Sequence, residues 1–491
     1  MDNAKRPVLE LLSQPLLERI VAEALEVLSK VGVLIESDEV LRMLGDAGAR
    51  IDKPAHRAFL PDSLVWQCVG SAPSSVVIFD REGNPALQLE GMNVHFDPGS
   101  AALRILDSQT GEVRPPVTAD LVSLARLTDA LPHIQAQSTA MVPSDVPAEI
   151  ADRYRLLIVL LNSTKPVVTG TFSEDGFSVM KQMLFAVAGG EDMLRRYPRA
   201  IFDTCSTQPL TWSNLTSQCL VDCARSGIPA ELISAPLLGA TAPVTLTGTL
   251  VQHTAENLSG VAIHQLAAAG SPVVYGGSPA VFDMRHGTIA LGAMESAMVA
   301  CAYAQIGRFF HLPAHGYLGL SDAKVLDAQC GLESGIGATL AALASINVVS
   351  GAGMLEFENC QSLEKLVIDN EICGMAQRLV AGIEKREEMM AEDLYADLAG
   401  GDYFLTSPVT LRWLRQEVTS PGRVISRETP EVWQKNGRKS AAQRAWERVQ
   451  ELLAINQPKP LPDDLRQHLM EIMKADALQY EITHLPIPHP S

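Results

Sequence analysis

The chain has 491 residues, of which 47% are hydrophobic, 20% are charged and only 5% are aromatic. This composition excludes a disordered chain, because the apolar fraction is large enough to form an extensive core. Acidic residues outnumber basic ones by 57 to 39, which gives a formal net charge of -18. That balance argues against nucleic acid or an anionic membrane as the main partner, since both require a basic surface.

The cysteines and the apolar stretches indicate where such a chain would work. Its eight cysteines are scattered without a CxxC pair, a pattern typical of a reduced cytosolic protein. The first twenty residues carry frequent charges and no cleavage site, so we expect no signal peptide. Apolar stretches such as 336–349 are too short to predict a membrane span. We expect a cytoplasmic protein.

Residues 1–117 show two patterns in succession. Apolar and charged residues alternate at helical spacing over 9–49, which predicts a small helical layer. From 75 to 117 the period shortens to two, with turn residues between the apolar runs. This second pattern predicts a β-rich insert.

Residues 118–384 alternate helical patterns with short buried-strand patterns. Seven strand candidates follow one another, namely 134–140, 167–172, 200–206, 230–237, 272–277, 314–320 and 347–354. Such a series predicts parallel strands with right-handed crossovers, and its length favours a closed (β/α)8 barrel over an open sheet. The eighth strand has two possible sources, residues 404–406 and a segment of the N-terminal region.

Residues 385–491 form a charged tail with helical spacing. We expect helices that wrap the barrel, with most of their charges facing solvent. Docking of a partner protein is the alternative reading of these charges.

Candidate functional residues are the polar and aromatic side chains at the predicted strand ends, because barrel enzymes work at the carboxyl ends of their strands. Six of these side chains are aromatic in a chain with few aromatics: Phe172, Phe202, Trp212, Tyr275, Tyr317 and Phe357. Together they could form a cage for a quaternary ammonium group, which ring faces attract. The alternative is that the rings only pack under the loops.

Carboxylates at the same strand ends could supply a negative field for such a cation. The candidates are Asp203, Asp322, Glu356 and Glu358. Asp322 follows Ser321 and could instead cap a helix, and Arg285 near Asp283 could be a plain ion pair. His315 lies at a predicted strand end, and the sequence does not distinguish a functional role from a packing role for it.

Several enzyme classes are excluded by their missing motifs. The chain has no GxxxxGK[ST] phosphate loop, no GxGxxG turn after a strand and no GxSxG elbow. A metal site is not expected, because neither a His-x-His nor an HExxH motif is present. Cys205 is a poor nucleophile candidate, since its neighbours supply an acid and no cation that would lower the pKa of the thiol.

Four long segments resemble the trimethylamine methyltransferase family. They are GATAPVTLTGTLVQHTAENLSG at 239–260, SPVVYGGSPAVFDMRHGTIALGAMESAM at 271–298, HGYLGLSDAKVLDAQCGLESGIGATLAAL at 315–343 and SLEKLVIDNEICGMAQRL at 362–379. The resemblance implies a (β/α)8 barrel that passes a methyl group from a methylated amine to cobalamin on a separate small corrinoid protein. It implies no tightly bound cofactor in this chain.

One departure from the family's founding pattern narrows the expected substrate. Family members that use trimethylamine carry pyrrolysine in the region that resembles HGYLGLSDAK, whereas this chain has ordinary residues throughout. The chain thus resembles the non-pyrrolysine branch, whose members demethylate quaternary amines such as glycine betaine. A quaternary nitrogen already carries its charge and leaves as a neutral amine, so it needs no activating residue.

The expected substrate-binding set follows from these strand ends: Phe172, Asp203, Trp212, Tyr275, Arg285, His315, Tyr317, Asp322, Glu356 and Phe357. A betaine carboxylate could meet Arg285 or the backbone N–H groups of 239–243, where a helix begins. No residue is expected to act as a covalent catalyst, and we expect a homo-oligomer. The rival hypotheses are a non-catalytic betaine-binding barrel and a methyltransferase for a different donor, such as a methylated thiol or an aryl ether.

Overall fold

The computed structural model describes residues 6–107, 110–384, 386 and 404–487. Eight short parallel strands form the centre of the described part: His95–Asp97 (β1), Gln137–Ser138 (β2), Val167–Thr169 (β3), Ala200–Cys205 (β4), Ala230–Ile233 (β5), Val273–Val274 (β6), His315–Tyr317 (β7) and Val348–Ser350 (β8). Strands β2 to β8 lie inside the seven predicted strand ranges, so those predictions are confirmed.

The eight strands close into a ring. Strands β2 to β6 pair in chain order, and β7 pairs with β8, which pairs with β1. A bridge between Tyr275 and Ala314 joins β6 to β7. The N–H groups of Gln135 and Ala136 both donate to Phe96 O, at 2.9 and 3.2 Å, and so join β1 to β2. The predicted (β/α)8 barrel is therefore confirmed.

The eighth strand is β1, which comes from the N-terminal region. The other source that the sequence left open, Phe404–Thr406, is a 3-10 helix. Because β1 has only three residues before a Pro-Gly turn, it is too short for its period to stand out. The barrel thus begins inside the range 1–117 that the sequence analysis gave to the N-terminal layer.

A helix follows each barrel strand. These helices are Thr118–Ala130 (α1), Ala151–Asn162 (α2), Gly176–Ala188 (α3), Asn214–Ser226 (α4), Leu246–Ala267 (α5), Met294–Phe309 (α6), Ala328–Leu343 (α7) and Leu363–Ala381 (α8). Four of them begin at a side-chain cap, in which Ser213, Thr245, Asp327 or Ser362 accepts a bond from a first-turn N–H. A further short helix, Glu191–Arg196, precedes β4.

The N-terminal layer covers α5 with three helices, Gln14–Glu26, Asp38–Asp46 and Asp62–Ser71. The first continues through a π-helical turn, Val27–Val31. Strands of this layer form a small sheet in the order Thr211–Trp212, Val33–Ile35, Arg57–Phe59 and Arg50–Asp52.

Short strands also extend the loops of the barrel. They are Arg104–Leu106, Val113–Arg114, Leu237–Leu238, Ala280–Asp283, Thr288–Ala290, Met354–Leu355 and Cys360–Gln361. A 3-10 turn, Ala148–Ile150, leads into α2.

An antiparallel hairpin, Val76–Phe79 with Pro85–Leu89, closes the amino end of the barrel. Its apolar side chains pack against the first inward layer of the barrel strands, forming a cluster of Val76, Ile78, Leu87, Leu89, Ala136, Val168, Ile201, Val274 and Val348. Every member of this cluster is buried, so this end of the barrel is a dry plug.

Four helices form the described part of the tail: Pro408–Glu417, Pro430–Lys435, Ala441–Ile455 and Asp463–Gln479. Ala441–Ile455 packs on α8 and α1, and Asp463–Gln479 packs on α3 and α2. The start of the predicted tail, 387–403, lies outside the described residues. No helix in the described ranges is long and apolar enough to cross a bilayer.

Candidate active site

The barrel interior changes from apolar to polar two residues beyond the plug. Residues two apart in a strand face the same side, so inward Val168, Ile201 and Val348 are followed by inward Gly170, Asp203 and Ser350. The glycine leaves room beside Asp203, because a Cβ on Gly170 would already touch the Asp203 side chain at 3.6 Å. The carboxyl end of the barrel therefore holds polar groups around a small space.

His315 is at the centre of this polar layer. Its Nε2 lies 3.0 Å from Glu231 Oε1 and 3.1 Å from Ser350 Oγ, and the ring is fully buried. Ser350 in turn donates to Asp97 Oδ2 at 2.6 Å, and Gly99 N–H donates to Asp97 Oδ1 at 2.8 Å. Burial lowers the pKa of His315 to about 3, so the ring is neutral at physiological pH.

Asp203 joins the layer from β4. The Tyr317 hydroxyl donates to Asp203 Oδ2 at 3.4 Å, and the Tyr317 ring meets the His315 ring edge to face at 4.9 Å. The charge of Asp203 adds to burial in raising the pKa of Glu231.

Four carboxyl groups of this layer hold protons more tightly than exposed acids do. Burial raises the pKa of Asp97 to about 7. Burial and the charge of Asp97 raise the pKa of Asp203 to about 7. The pKa values of Glu231 and Glu358 lie well above their ordinary value, through burial and then the charge of Asp203. A cation bound among these carboxyl groups would favour their ionised form, so it would replace the protons that they otherwise hold.

Glu358 is brought to this layer by an unusual turn. Glu356, Phe357 and Glu358 all have positive φ, at 52°, 60° and 67°. Three consecutive non-glycine residues in the left-handed region are strained, at roughly 1 to 2 kcal/mol each. Such strain is found where the surrounding structure holds a functional loop in place.

One positive charge belongs to the same region, Arg155 from α2. Its side chain is buried, and Nη2 donates to Thr139 Oγ1 at 2.6 Å. The Phe172 ring lies over the guanidinium at 4.6 Å. Nε and Nη1 have no hydrogen-bond partner. Desolvation lowers the pKa of Arg155 to about 10, although Asp152, Asp203 and Tyr317 offset part of that effect.

The layer can bind charge but offers no strong nucleophile. The nearby Cys205 is exposed, yet desolvation and the acids Asp203 and Glu358 raise the pKa of its thiol to about 12. No group of three or more His, Cys, Asp or Glu side chains within the described ranges is arranged to hold a metal ion. The chemistry of this site is electrostatic positioning of a ligand.

The whole chain is similar to methylamine methyltransferases. A family model described as trimethylamine methyltransferase matches residues 2–477. A trimethylamine methyltransferase of Desulfitobacterium hafniense strain DCB-2 is 32% identical over 93% of this chain and 92% of its own length. The glycine betaine methyltransferase of strain Y51 of that species is 28% identical over 94% of this chain and 95% of its own.

The chain belongs to the trimethylamine methyltransferase family. Its fold also matches a solved structure, the monomethylamine methyltransferase of Methanosarcina barkeri, with a TM-score of 0.53 and 12% identity over 97% of this chain and 89% of that one. The family assignment makes the protein a methyltransferase, as the sequence resemblance predicted.

In this methyltransferase, the polar layer contains three of the predicted site residues, Asp203, His315 and Tyr317. A fourth, Phe172, lies at its edge over Arg155 and is 48% exposed. These four residues come from β4, β7 and the loop after β3, which the barrel brings together.

The methyltransferase does not form the single cage of six rings that we predicted. Tyr275 is buried outside the barrel wall, where its hydroxyl donates to Thr254 of α5 at 3.2 Å. Trp212 donates from Nε1 to Ser259 of α5 at 2.9 Å, and its strand pairs with Val33–Ile35. Phe202 packs against Phe177 of α3, with ring centroids 5.0 Å apart. Asp203 faces inward, so its neighbour Phe202 must face outward.

The remaining predicted residues lie in the loops around the mouth of the barrel. Arg285 is exposed and pairs with Asp283 at 3.1 Å. Asp322 accepts a bond from Gly292 N–H at 2.9 Å and caps no helix, since α7 begins at Ala328. Glu356 pairs with Arg104 at 3.3 Å. The Phe357 ring lies 4.2 Å from Lys324 Nζ.

Sequence reasoning missed three ionisable residues of this region, Asp97, Arg155 and Glu231, and also Ser350. Glu231 carried a usable signal, because it is a charged residue within the apolar strand AELI. Asp97 precedes a Pro-Gly pair at a strand end, which is a weaker signal. Arg155 lies in an ordinary helical pattern, and nothing in its neighbours marks it.

Proposed function

We propose that this methyltransferase moves a methyl group from a quaternary amine, such as a betaine, to Co(I) of a corrinoid carried by a separate small protein. The observation that carries the proposal is the excess of carboxyl groups with buried oxygen atoms at the carboxyl end of the barrel. Asp97, Asp203, Glu231 and Glu358 surround this space, with Arg155 as the nearby cation.

The layer suits a permanently charged ammonium group. Asp203 Oδ1 and Glu358 Oε1 are buried without a hydrogen-bond partner, and a quaternary nitrogen can compensate their charge without donating a hydrogen bond. The Tyr317 and Phe172 rings add faces that attract such a cation. An uncharged methyl donor would leave these oxygens uncompensated.

Methyl transfer from a quaternary amine needs positioning more than acid or base chemistry. The C–N bond breaks with its electron pair left on nitrogen, and the amine departs neutral. The corrinoid supplies a strongly nucleophilic cobalt centre that accepts the methyl carbon. The chain's own contribution is to hold the ammonium group so that one methyl points out of the barrel, in line with that acceptor.

The mouth of the barrel has the features of a docking face for the corrinoid protein. Large apolar side chains are more than 45% exposed in the loops after five of the strands, namely Leu103, Phe172, Val244, Met284 and Val325. Exposed apolar side chains around a concave site are typical of a protein interface. A partner that covers this rim would also exclude water from the methyl group in transit.

The test uses the purified chain with chemically reduced cob(I)alamin, both free and bound to recombinant corrinoid proteins. Glycine betaine, choline, tetramethylammonium and trimethylamine are offered in turn, and methylation is followed by the absorbance change of the corrinoid. We expect methylation with at least one quaternary amine. Binding without methylation under every condition would favour a non-catalytic binding barrel and overturn the proposal.

A matched variant links the activity to the carboxyl layer. Glu358→Gln keeps the shape of the side chain and removes its charge, so we expect a loss of at least tenfold in kcat/KM for the quaternary amine. Glu356→Gln, two residues earlier in the same turn, changes an acid that pairs with Arg104 and should retain most activity. Equal losses in both variants would show that the turn, and not the charge of Glu358, matters.

A further inference from the structure

Arg155 and Arg153 lie two residues apart on α2, and both are buried. Arg153 is fully partnered: it contacts Asp152 Oδ1 at 3.0 Å, Asp476 Oδ2 at 2.5 Å, Ser173 Oγ at 2.8 Å and the Tyr480 hydroxyl at 3.0 Å. Arg155 makes one hydrogen bond, to a neutral hydroxyl. The same helix thus carries one arginine with its counter-ions and one without.

The missing partner of Arg155 is an anion. Within the described ranges no carboxylate lies within 4.0 Å of its guanidinium, whereas Arg153 has two. It is also the one arginine of the described chain with two buried nitrogens that lack a partner. A buried charge without a counter-ion is costly, and a guanidinium is shaped to bind a carboxylate through parallel N–H groups.

The position of Arg155 connects it to the proposed ammonium site. It reaches the carboxyl ends of β2 and β3 through Thr139 and is stacked under Phe172. The charge of Asp203, which lines the barrel interior, acts on it. A buried cation therefore lies at the edge of the polar layer, beside Thr139 and Phe172 and within the field of Asp203.

We propose that Arg155 binds the carboxylate of a zwitterionic substrate, so that the site selects betaines over quaternary amines that lack a carboxylate. This inference rests on the proposed function and names the residue that sets its specificity. The quaternary nitrogen lies toward Asp203 and Glu358, and the carboxylate takes the free Nε and Nη1 of Arg155. The Phe172 ring holds the guanidinium plane in place.

The first experiment changes the ligand and leaves the protein as it is. Isothermal titration of the wild-type chain compares glycine betaine with its methyl ester, which keeps the quaternary nitrogen and loses the carboxylate charge. We expect glycine betaine to bind at least tenfold more tightly than the ester. Equal affinities for both would overturn the role of Arg155.

The second experiment changes the arginine. We expect Arg155→Gln to weaken glycine betaine binding at least tenfold and to leave the affinity for tetramethylammonium within threefold. Arg155→Lys should recover part of the lost affinity, since it restores the charge without the planar fork. Arg285→Gln is the matched control, because Arg285 is the exposed arginine that the sequence favoured for the same carboxylate, and it should change neither affinity.

A thermal melt of each variant separates binding from folding. Removal of Arg155 should leave the melting temperature unchanged or raise it, because the residue lacks a counter-ion in the described chain. Equal weakening of both ligands in Arg155→Gln would assign the residue a structural role and overturn the inference. If no quaternary amine binds to the wild-type chain at all, the proposed function fails; if they bind without this selectivity, only the role of Arg155 fails.

Discussion

The two ends of the barrel are built on the same strands and have opposite chemistry. At the amino end, inward residues such as Ile201 and Val348 pack with the hairpin residue Ile78 in one buried apolar cluster. Two residues further along, the strands carry Asp203 and Ser350, and buried oxygen atoms there lack partners.

This difference shows how one barrel separates stability from function. The plug buries apolar surface and stabilises the fold. The mouth concentrates like charges, which oppose folding until a ligand compensates them. Changes at the two ends should therefore have different consequences, and the following experiments compare them.

The largest effect on folding should come from the plug. Ile78→Ala removes three buried carbons and should lower the free energy of unfolding by about 2 to 4 kcal/mol. Glu231→Gln, at the mouth, keeps the side-chain volume and removes a buried acid, so it should cost far less. Urea unfolding of both variants measures this contrast. A loss in Glu231→Gln as large as that in Ile78→Ala would mean that both ends serve stability alike.

A smaller effect should appear in the pH dependence of stability. The pKa of Asp97 is about 7 in the folded chain, against an ordinary value of 3.8, so the folded state binds more protons between these values. Its contribution to stability is therefore present at low pH, is lost as the pH rises from about 4 to about 7, and is constant above that range.

Asp97→Asn isolates this contribution, because the amide oxygen can still accept from Gly99 N–H while the amide NH2 group can donate to the Ser350 hydroxyl oxygen. The wild-type chain should lose on the order of 2 kcal/mol more stability than Asp97→Asn between pH 5 and pH 8. Urea unfolding at both pH values measures the difference. Parallel pH profiles for the two proteins would contradict the assignment of a raised pKa to Asp97.

The smallest expected effect concerns Cys205 at the edge of the mouth. Its thiol has a pKa raised to about 12, although the residue is exposed. Iodoacetamide at pH 8 should therefore alkylate it more slowly than a free cysteine, since the thiolate is the reactive form. Asp203→Asn should speed the reaction, which mass spectrometry can follow. Rapid alkylation of the wild-type protein would show that the mouth is less negative than we infer.

The fold could be predicted from the sequence to a large extent. Seven strands lie where buried apolar runs end in Gly, Pro or small polar residues, because this signal is local. The eighth strand, His95–Asp97, is three residues long and follows a hairpin region, so it shows no period of its own. Its pairing with Val348–Ser350 is a contact between distant parts of the chain, which no local pattern contains.

The site could be predicted only in part. Asp203, His315 and Tyr317 could be predicted because they lie at the ends of predicted strands. Tyr275 follows the inward Val274, so the alternation of strand residues places its side chain outside the barrel. Arg155 could not be found in this way, because what distinguishes it from Arg153 is the absence of a nearby carboxylate. That property exists only in the folded chain.

The pairing of β1 with β8 has a consequence for how the chain is made. Ser350 donates to Asp97 across 253 residues of sequence, so the ring cannot close until its last strand has left the ribosome. At roughly 5 to 20 residues per second, β1 waits for tens of seconds with an unpaired edge. An unpaired strand edge is a template for incorrect pairing, so the nascent chain should be most prone to aggregation before β8 emerges.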